Sequence, residues 1–344
     1  MIFSKGALRC CAILAACLPM VSVAEAQSPA FYKGKTITII VGFSPGGGYD
    51  LSARTISRYI GKYIPGNPTV VVQNMPGAGS LTAINYLSNI SLKDGTSLGT
   101  FSRGIAFEPL LGNKSAQFDP RKLNWIGSPS RETNVVFVRQ QAPIKVFDDL
   151  KTKEMVVATT GAGADTATFP RIVNTIFDTK LKIVTGYPGA TETLLAVDRG
   201  EADGMAGLSW GYLKASRPAW IKQQQVRILM QLGLTKAPDL PDVPSSLDLV
   251  TDDSSRQLLQ FFLARLEIAW PLAAPPNVPS ERIEILRSAF QQTMKDPEFI
   301  AEAEKQSIDV SPVSGDEIAN ILSKVYATDP AIVERARQIS DAAR

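Results

Sequence analysis

The sequence predicts an α/β protein built from two similar lobes, and three observations support this fold class. Predicted strands alternate with predicted helices, which favours layers of parallel strands and helices. The order strand, glycine-rich turn, helix occurs twice near the N-terminus and twice again after residue 150. The chain has 344 residues, which is enough for two domains that each bury a core.

The first 26 residues have the pattern of a secretory signal peptide. Lys5 and Arg9 flank the start of an apolar run over 10–23, and small residues at 24 and 26 form an A-x-A site. We predict cleavage after Ala26. An uncleaved N-terminal anchor and lipidation at Cys17 are the alternatives, but the apolar run is shorter than the roughly 20 residues that span a bilayer.

The composition excludes several classes of function. The sequence has no histidine, and its three cysteines, Cys10, Cys11 and Cys17, lie in the predicted signal peptide. The mature chain therefore lacks His-dependent triads, His-based zinc sites and disulfides. We expect no catalytic residue, no metal and no cofactor. The formal net charge is only +3 and no basic block is present, so we expect no nucleic-acid partner.

Apolar, β-branched runs and helical spacing place the elements of the first lobe. In order, we predict a strand at 36–43, a turn at 44–50, a helix at 51–63, a strand at 69–72, a turn at 74–79, a helix at 80–89 and a strand at 97–101.

The second lobe repeats this order. We predict a strand at 155–159, a turn at 160–165, a helix at 166–177, a strand at 182–185, a turn at 186–190 and a helix at 191–199. The apolar segments 134–138 and 226–232 are expected to cross between the lobes. Lobe 1 would then comprise 27–135 and 233–344, and lobe 2 would comprise 136–232. Three C-terminal helices are expected at 280–294, 297–306 and 315–326, with Ser280 and Asp296 at helix starts.

Each glycine-rich turn that opens a helix is a potential anion site. The first N–H groups of a helix lack intrahelical partners, and glycine lets the backbone approach a ligand closely. The four turns should meet at the carboxyl ends of the strands, where ligands bind in α/β proteins. One such turn is more often structural than functional, but two matched pairs favour a carboxylate site. None of the four has the Walker A or Rossmann spacing, which argues against nucleotide binding.

Several side chains near these turns are candidates with two interpretations. Asp50 and Asp165 fit best as first-turn acids that stabilise their helices, and would contact a ligand only through a donor group on it. Arg103 is either an ion-pair partner for the ligand or a solvated arginine. Tyr49 and Tyr187 either line the cleft or belong to the core.

Four sets of residues resemble the tripartite tricarboxylate transporter receptor proteins, also called Bug receptors. They are KTITIIVGFSPGGGYD at 35–50, NMPGAG at 74–79, YPGA at 187–190 with GEAD at 200–203, and LPDVP at 240–244. The motifs occur in the family's order, and the resemblance covers nearly all of the mature chain.

The resemblance implies a periplasmic-binding-protein type II fold, with hinge-connected lobes and a central ligand cleft. It further implies a periplasmic receptor for a small organic carboxylate, which is passed to a membrane permease of one large and one small subunit. We expect the receptor to be a monomer. A sensory or orphan carboxylate receptor for a signalling partner is one alternative, and a secreted, His-independent enzyme on the same scaffold is another.

The resemblance carries binding roles onto residues 44, 46–48 and 161–164, and the arguments above add the other candidates. Tyr49, Arg103 and Asp165 depart from the family pattern, so we expect a ligand that is larger or carries a donor group. The complete set of expected ligand contacts is Ser44, Gly46, Gly47, Gly48, Tyr49, Asp50, Asn74, Arg103, Gly161, Ala162, Gly163, Ala164, Asp165 and Tyr187.

Overall fold

The computed structural model describes residues 31–161, 164–187, 189–306 and 309–341. The predicted signal peptide and residues Ala162 and Gly163 of the predicted binding loop lie outside this part. Within the described residues, no helix is long and apolar enough to cross a membrane.

The strands form two separate sheets. In chain order they are β1 (Thr36–Val41), β2 (Thr69–Asn74), β3 (Ser97–Thr100), β4 (Asn124–Ser128), β5 (Asn134–Arg139), β6 (Met155–Ala158), β7 (Leu181–Val184), β8 (Gly204–Ser209), β9 (Val226–Leu232), β10 (Leu272–Ala274) and β11 (Val313–Ser314). The first sheet has the order β11-β4-β10-β3-β1-β2, and the second has the order β7-β6-β8-β5-β9.

Helices cover both sheets. They are α1 (Gly48–Ile60), α2 (Leu81–Asn89), α3 (Asp149–Thr152), α4 (Asp165–Phe177), α5 (Ala190–Asp198), α6 (Trp210–Ser216), α7 (Pro218–Lys222), α8 (Ser246–Leu249), α9 (Asp253–Leu263), α10 (Ser280–Thr293), α11 (Pro297–Lys305), α12 (Gly315–Tyr326) and α13 (Pro330–Asp341). Short 3-10 turns occur at Gly61–Tyr63, Ala78–Ser80, Arg103–Phe107 and Ala264–Glu267.

The strand order positions the predicted turns. In the first sheet, β1 pairs in parallel with β2 and β3, so their carboxyl ends share one edge. In the second sheet, β6 pairs in parallel with β7 and β8. Strand β1 is covered on both faces because Ile37, Ile39, Ile40 and Val41 are all buried. Each sheet therefore presents its parallel strand ends, and the turns that follow them, at one edge.

The structure refines several local expectations. Residues 134–138 and 226–232 lie in β5 and β9, which pair with each other in the second sheet, and their crossing between the lobes stays a prediction. The helix predicted over 51–63 begins earlier, at Gly48. The helix start at Ser280 is confirmed, since Ser280 is the first residue of α10, and Pro279 occupies the cap position. The cap at Asp296 is confirmed, because its side chain accepts a hydrogen bond from the backbone N–H of Glu298 at 2.9 Å.

Candidate ligand-binding cavity

A cavity of about 420 Å³ lies between the loops of the two sheets. The first sheet contributes the turn that joins β1 to α1 and two residues after β3. The second sheet contributes the loops before α4, α5 and α6. The lining residues are 43–49, Ser102, Arg103, Thr160, 164–166, 189–192, 207–209, Tyr212 and Trp270. Three of the four predicted glycine turns thus reach one cavity.

Four helices begin at this cavity, but their N-termini are not equally available. No side chain caps the N-terminus of α1, α4 or α5. At α6 the Ser209 hydroxyl accepts from the backbone N–H of Tyr212 at 3.1 Å. Each of these three helices has an acid in its first turn. Asp50 and Asp165 pair with Arg54 and Arg103, whereas no arginine or lysine of the described residues pairs with Glu192, so its negative charge stands at the start of α5. The N-termini of α1 and α4 therefore offer uncapped amides beside acids that are already paired, and these two helices follow β1 and β6 of different sheets.

Glycine is required at two positions of the turn before α1. Gly46 has a φ of +87°, a conformation that other residues rarely adopt. A Cβ atom on Gly48 would overlap the ring of Trp270. Gly47 differs, because the nearest atom to a Cβ there would be 4.0 Å away. A side chain added at Gly47 would therefore enter open space beside the cavity.

Asp50 and Asn74 hold this turn in place from behind. The Asp50 carboxylate accepts hydrogen bonds from the backbone N–H of Gly46 at 2.9 Å, from Arg54 Nε at 2.9 Å and from Asn74 Nδ2 at 2.8 Å. Asn74 Nδ2 also donates to the carbonyl oxygen of Phe43 at 2.9 Å. Burial acts to raise the pKa of Asp50, but these hydrogen bonds outweigh it and the pKa is lowered. The charged form is therefore stabilised, and it fixes the backbone that lines the cavity.

Arg103 joins the two sheets through a buried polar network. Its Nε donates to Asp165 Oδ2 at 2.6 Å, Nη1 donates to Glu132 Oε2 at 2.9 Å, and Nη2 donates to Asn134 Oδ1 at 3.2 Å. Asp165 also lies 3.6 Å from Nη1 of Arg265, which is 2 % exposed. Arg103 itself is only 8 % exposed, which excludes the solvated interpretation.

The electrostatics of this network favour two charged arginines beside two carboxylates. Burial acts to lower the pKa of Arg103, but Asp165 and Glu132 outweigh it and raise the pKa above its ordinary value. Burial lowers the pKa of Arg265, although Asp165 opposes that change. Two positive and two negative side chains nearly cancel, so the network adds little net charge to the cavity.

Three aromatic rings form one side of the cavity, and we call Phe43, Tyr49 and Trp270 the aromatic wall. The Phe43 and Tyr49 rings stack, with centroids 4.7 Å apart and planes at 17°. The Tyr49 and Trp270 rings meet edge to face at 4.7 Å and 67°. The Tyr49 hydroxyl accepts a hydrogen bond from the backbone N–H of Arg103 at 2.9 Å. Burial raises the pKa of Tyr49 to about 12, so its hydroxyl stays neutral.

The cavity brings together eight of the fourteen predicted site residues, namely Ser44, Gly46, Gly47, Gly48, Tyr49, Arg103, Ala164 and Asp165. Four others lie outside its lining. Asp50 and Asn74 support the turn before α1, and Tyr187 packs against the apolar cluster that contains Leu194. Gly161 lines a second cavity of about 510 Å³. Ala162 and Gly163 lie outside the described residues, and ligand contact by any of the fourteen stays a prediction.

The remaining predicted turn, at 74–79, does not line the first cavity. Ala78 and Gly79 line the second cavity, together with Gly161 and Arg265. The network contacts both cavities, since Asp165 lines the first and its partner Arg265 lines the second.

Sequence reasoning missed several lining residues. Trp270 stands between a 3-10 turn and β10, with no local motif that marks it as functional. Thr191 and Glu192 lie in the first turn of α5, and Ser209 is the N-cap residue of α6. A serine at a helix start is a signal that pattern analysis could have used. Thr166 closes its own loop, because its Oγ1 lies 2.8 Å from Thr160 Oγ1.

Comparisons with known proteins agree with this architecture. A family model described as tripartite tricarboxylate transporter family receptor matches residues 53–337. No curated protein matches the sequence.

Among solved structures, the periplasmic binding protein BugD is 18% identical, with a TM-score of 0.69 over 90% of this chain and 98% of that chain. MatC from Rhodopseudomonas palustris with bound malate is 18% identical, with a TM-score of 0.67 over 89% of this chain and 99% of that chain. A second R. palustris protein, with adipate, is 16% identical, with a TM-score of 0.66 over 90% of this chain and 97% of that chain. These likenesses confirm the predicted two-lobed periplasmic-binding-protein fold.

Proposed function

This chain belongs to the tripartite tricarboxylate transporter receptor family, and from that premise we propose that it captures a small organic carboxylate between its two lobes. The family consists of solute-binding receptors. The solved relatives with malate and adipate support a carboxylate as the ligand class for this chain. We further propose that the receptor works in the periplasm after cleavage behind Ala26, and that it delivers its ligand to a two-subunit membrane permease.

One observation carries the carboxylate assignment: the uncapped N-termini of α1 and α4 line the same cavity. Backbone N–H groups at a helix start have no intrahelical partner, and the helix dipole favours negative charge there. The backbone N–H groups at two such helix N-termini, one from each sheet, would donate hydrogen bonds to one carboxylate from opposite sides. Neither a metal ion nor a free cationic side chain is needed for this mode of binding.

The two lobes proposed here are 27–135 with 233–344, and 136–232. The sheet assignment supports this division, since the strands of the second sheet run from Asn134 to Leu232. A ligand that touches both lobes binds the closed arrangement better than the open one, and this difference alone shifts the population towards closure. The proposed boundaries then place the hinge at the two chain segments that enter and leave the second sheet.

Isothermal titration calorimetry with pairs of isosteric ligands tests the proposal. Each carboxylic acid, including malate, adipate and benzoate, is compared with its amide, which has nearly the same shape but no charge. We expect at least one carboxylate to bind and its amide to bind at least tenfold more weakly. Binding also raises the midpoint of thermal unfolding by mass action.

A variant of Gly47 connects binding to the turn before α1. Gly47→Val adds a side chain where the fold leaves space, so it should unfold like the wild type but lose at least tenfold in affinity. Equal binding of acids and amides, or full affinity in Gly47→Val, would contradict the proposed site.

A further inference from the structure

We infer that the ligand is a monocarboxylate with a flat aromatic ring, and that this ring lies against the aromatic wall of Phe43, Tyr49 and Trp270. The inference rests on the proposed function and names the ligand class for the same cavity. All three rings line the cavity, and none of them is fully buried. Aromatic rings attract one another in stacked or edge-to-face arrangements beyond the effect of buried area.

The wall lies directly beside the proposed carboxylate site. Tyr49 is the second residue of α1, and the ring of Trp270 occupies the space where Gly48 lacks a Cβ atom. A carboxylate bound at the α1 amides would therefore carry its attached group along the Trp270 ring. A planar ring bonded to the carboxylate carbon fits this arrangement, because it extends in the carboxylate plane.

The charges of the cavity favour one carboxylate over two. Among the described lining residues, Arg103 is the only cationic side chain, and it already donates to Asp165, Glu132 and Asn134. On the side of the second sheet, Glu192 lines the cavity with a negative charge. A second carboxylate placed at the start of α5 would meet the charge of Glu192, whereas the first-turn acids of α1 and α4 are paired with Arg54 and Arg103. Hydroxyl groups of Thr191 and Tyr212 instead suit a neutral or hydroxylated ring edge.

The volume of the cavity agrees with an aromatic monocarboxylate as the ligand. Its volume of about 420 Å³ lies in the lower part of the 300–1,000 Å³ range of small-molecule sites. A single substituted benzene ring with one carboxylate can be enclosed there, with the ring on the wall and the carboxylate between α1 and α4.

A matched panel of ligands tests the inference by calorimetry on the exported protein. Benzoate and 4-hydroxybenzoate carry the aromatic ring, cyclohexanecarboxylate is the saturated control of similar size, and malate and adipate are aliphatic dicarboxylates. We expect the aromatic acids to bind about tenfold more tightly than cyclohexanecarboxylate, and more tightly than both dicarboxylates. Benzamide, which keeps the ring without the charge, should bind at least tenfold more weakly than benzoate.

The outcomes separate the inference from the function on which it rests. If malate or adipate binds best, or if cyclohexanecarboxylate equals benzoate, the aromatic assignment is wrong while the carboxylate receptor stands. If no acid on the panel binds more tightly than its amide, the proposed function itself fails.

A pair of variants locates the ring. Trp270→Leu should reduce benzoate affinity about tenfold and remove the preference over cyclohexanecarboxylate. Tyr86→Leu removes a half-buried aromatic ring from α2, away from the cavity, and should change neither value. Intrinsic fluorescence gives an independent signal, because Trp125, Trp210 and Trp220 are buried and Trp270 is not. Benzoate should quench the wild type but not Trp270→Leu, and quenching retained in that variant would overturn the placement of the ring.

Discussion

Replacement of Asp165 by asparagine tests the buried network that joins the two sheets. Asp165→Asn keeps the shape of the side chain but removes the charge that faces Arg103 at 2.6 Å and Arg265 at 3.6 Å. Removal of one partner from a buried ion pair typically costs about 3–5 kcal/mol, because the remaining charge stays buried. Glu132 still pairs with Arg103 at 2.9 Å, and the asparagine oxygen can still accept a hydrogen bond. We therefore expect the lower end of that range, about 3 kcal/mol of unfolding free energy.

Urea unfolding gives the measurement, and the same substitution in a more exposed pair gives the control. Asp198 pairs with Arg217 at 3.1 Å, and the Asp198 side chain is 38 % exposed. Exposed pairs contribute less than about 1 kcal/mol, so Asp198→Asn should change stability little. The double variant Arg103→Gln with Asp165→Asn should lose less than the sum of the single losses, because the two side chains contact each other. A loss for Asp165→Asn no larger than that for Asp198→Asn would refute the reasoning.

Three further changes have definite expected results. Gly48→Ala should lower the unfolding free energy by about 1–3 kcal/mol, because the added Cβ atom overlaps Trp270. Gly47→Ala adds a Cβ atom in open space, so it should cost less than about 1 kcal/mol in the same urea titration. The pKa of Tyr49 is raised to about 12 from 10.0, so the unfolded chain ionises first and wild-type stability should fall as pH rises from 10 to 12. Tyr49→Phe should lack that part of the fall, and identical pH profiles would contradict the assignment. Gln231 is 1 % exposed and makes three hydrogen bonds, at 2.7, 2.8 and 2.9 Å, to backbone groups of the loop after β9. Gln231→Leu should cost about 3 kcal/mol and speed amide hydrogen exchange in that loop, since buried polar groups lose their partners; unchanged exchange would exclude this role.

The elements that could be predicted from sequence are those whose signal is local. The run TITIIV is apolar and β-branched, and it forms the buried strand β1 within two residues of the predicted end. Two of the glycines at 46–48 mark the turn for a local reason, because the positive φ of Gly46 and the close approach of Trp270 to Gly48 require them. Asp165 was expected in a first helical turn, and it is the first residue of α4.

Contacts between distant parts of the chain could not be predicted in this way. Arg103 and Asp165 are 62 residues apart, and their pairing depends on how the two sheets face each other. Trp270 reaches the cavity because β10 inserts between β3 and β4, which no local pattern indicates. Strand β8, with the sequence GMAGLS, is entirely buried but contains two glycines and lacks the usual strand composition. Burial of both faces by tertiary packing, rather than propensity, makes it a strand.

We propose that backbone amides at the N-termini of α1 and α4 bind the carboxylate, and these amides can be observed one by one. The most direct measurement is an NMR titration of the ¹⁵N-labelled chain from Gln27 onwards with benzoate and, separately, with malate. We expect the largest changes in amide chemical shift at Gly47, Gly48, Tyr49 and Thr166, and we expect these changes to saturate together at the affinity measured by calorimetry. Saturable binding that leaves these four amides unshifted and instead moves residues around the second cavity, such as Leu81 and Ile105, would contradict it.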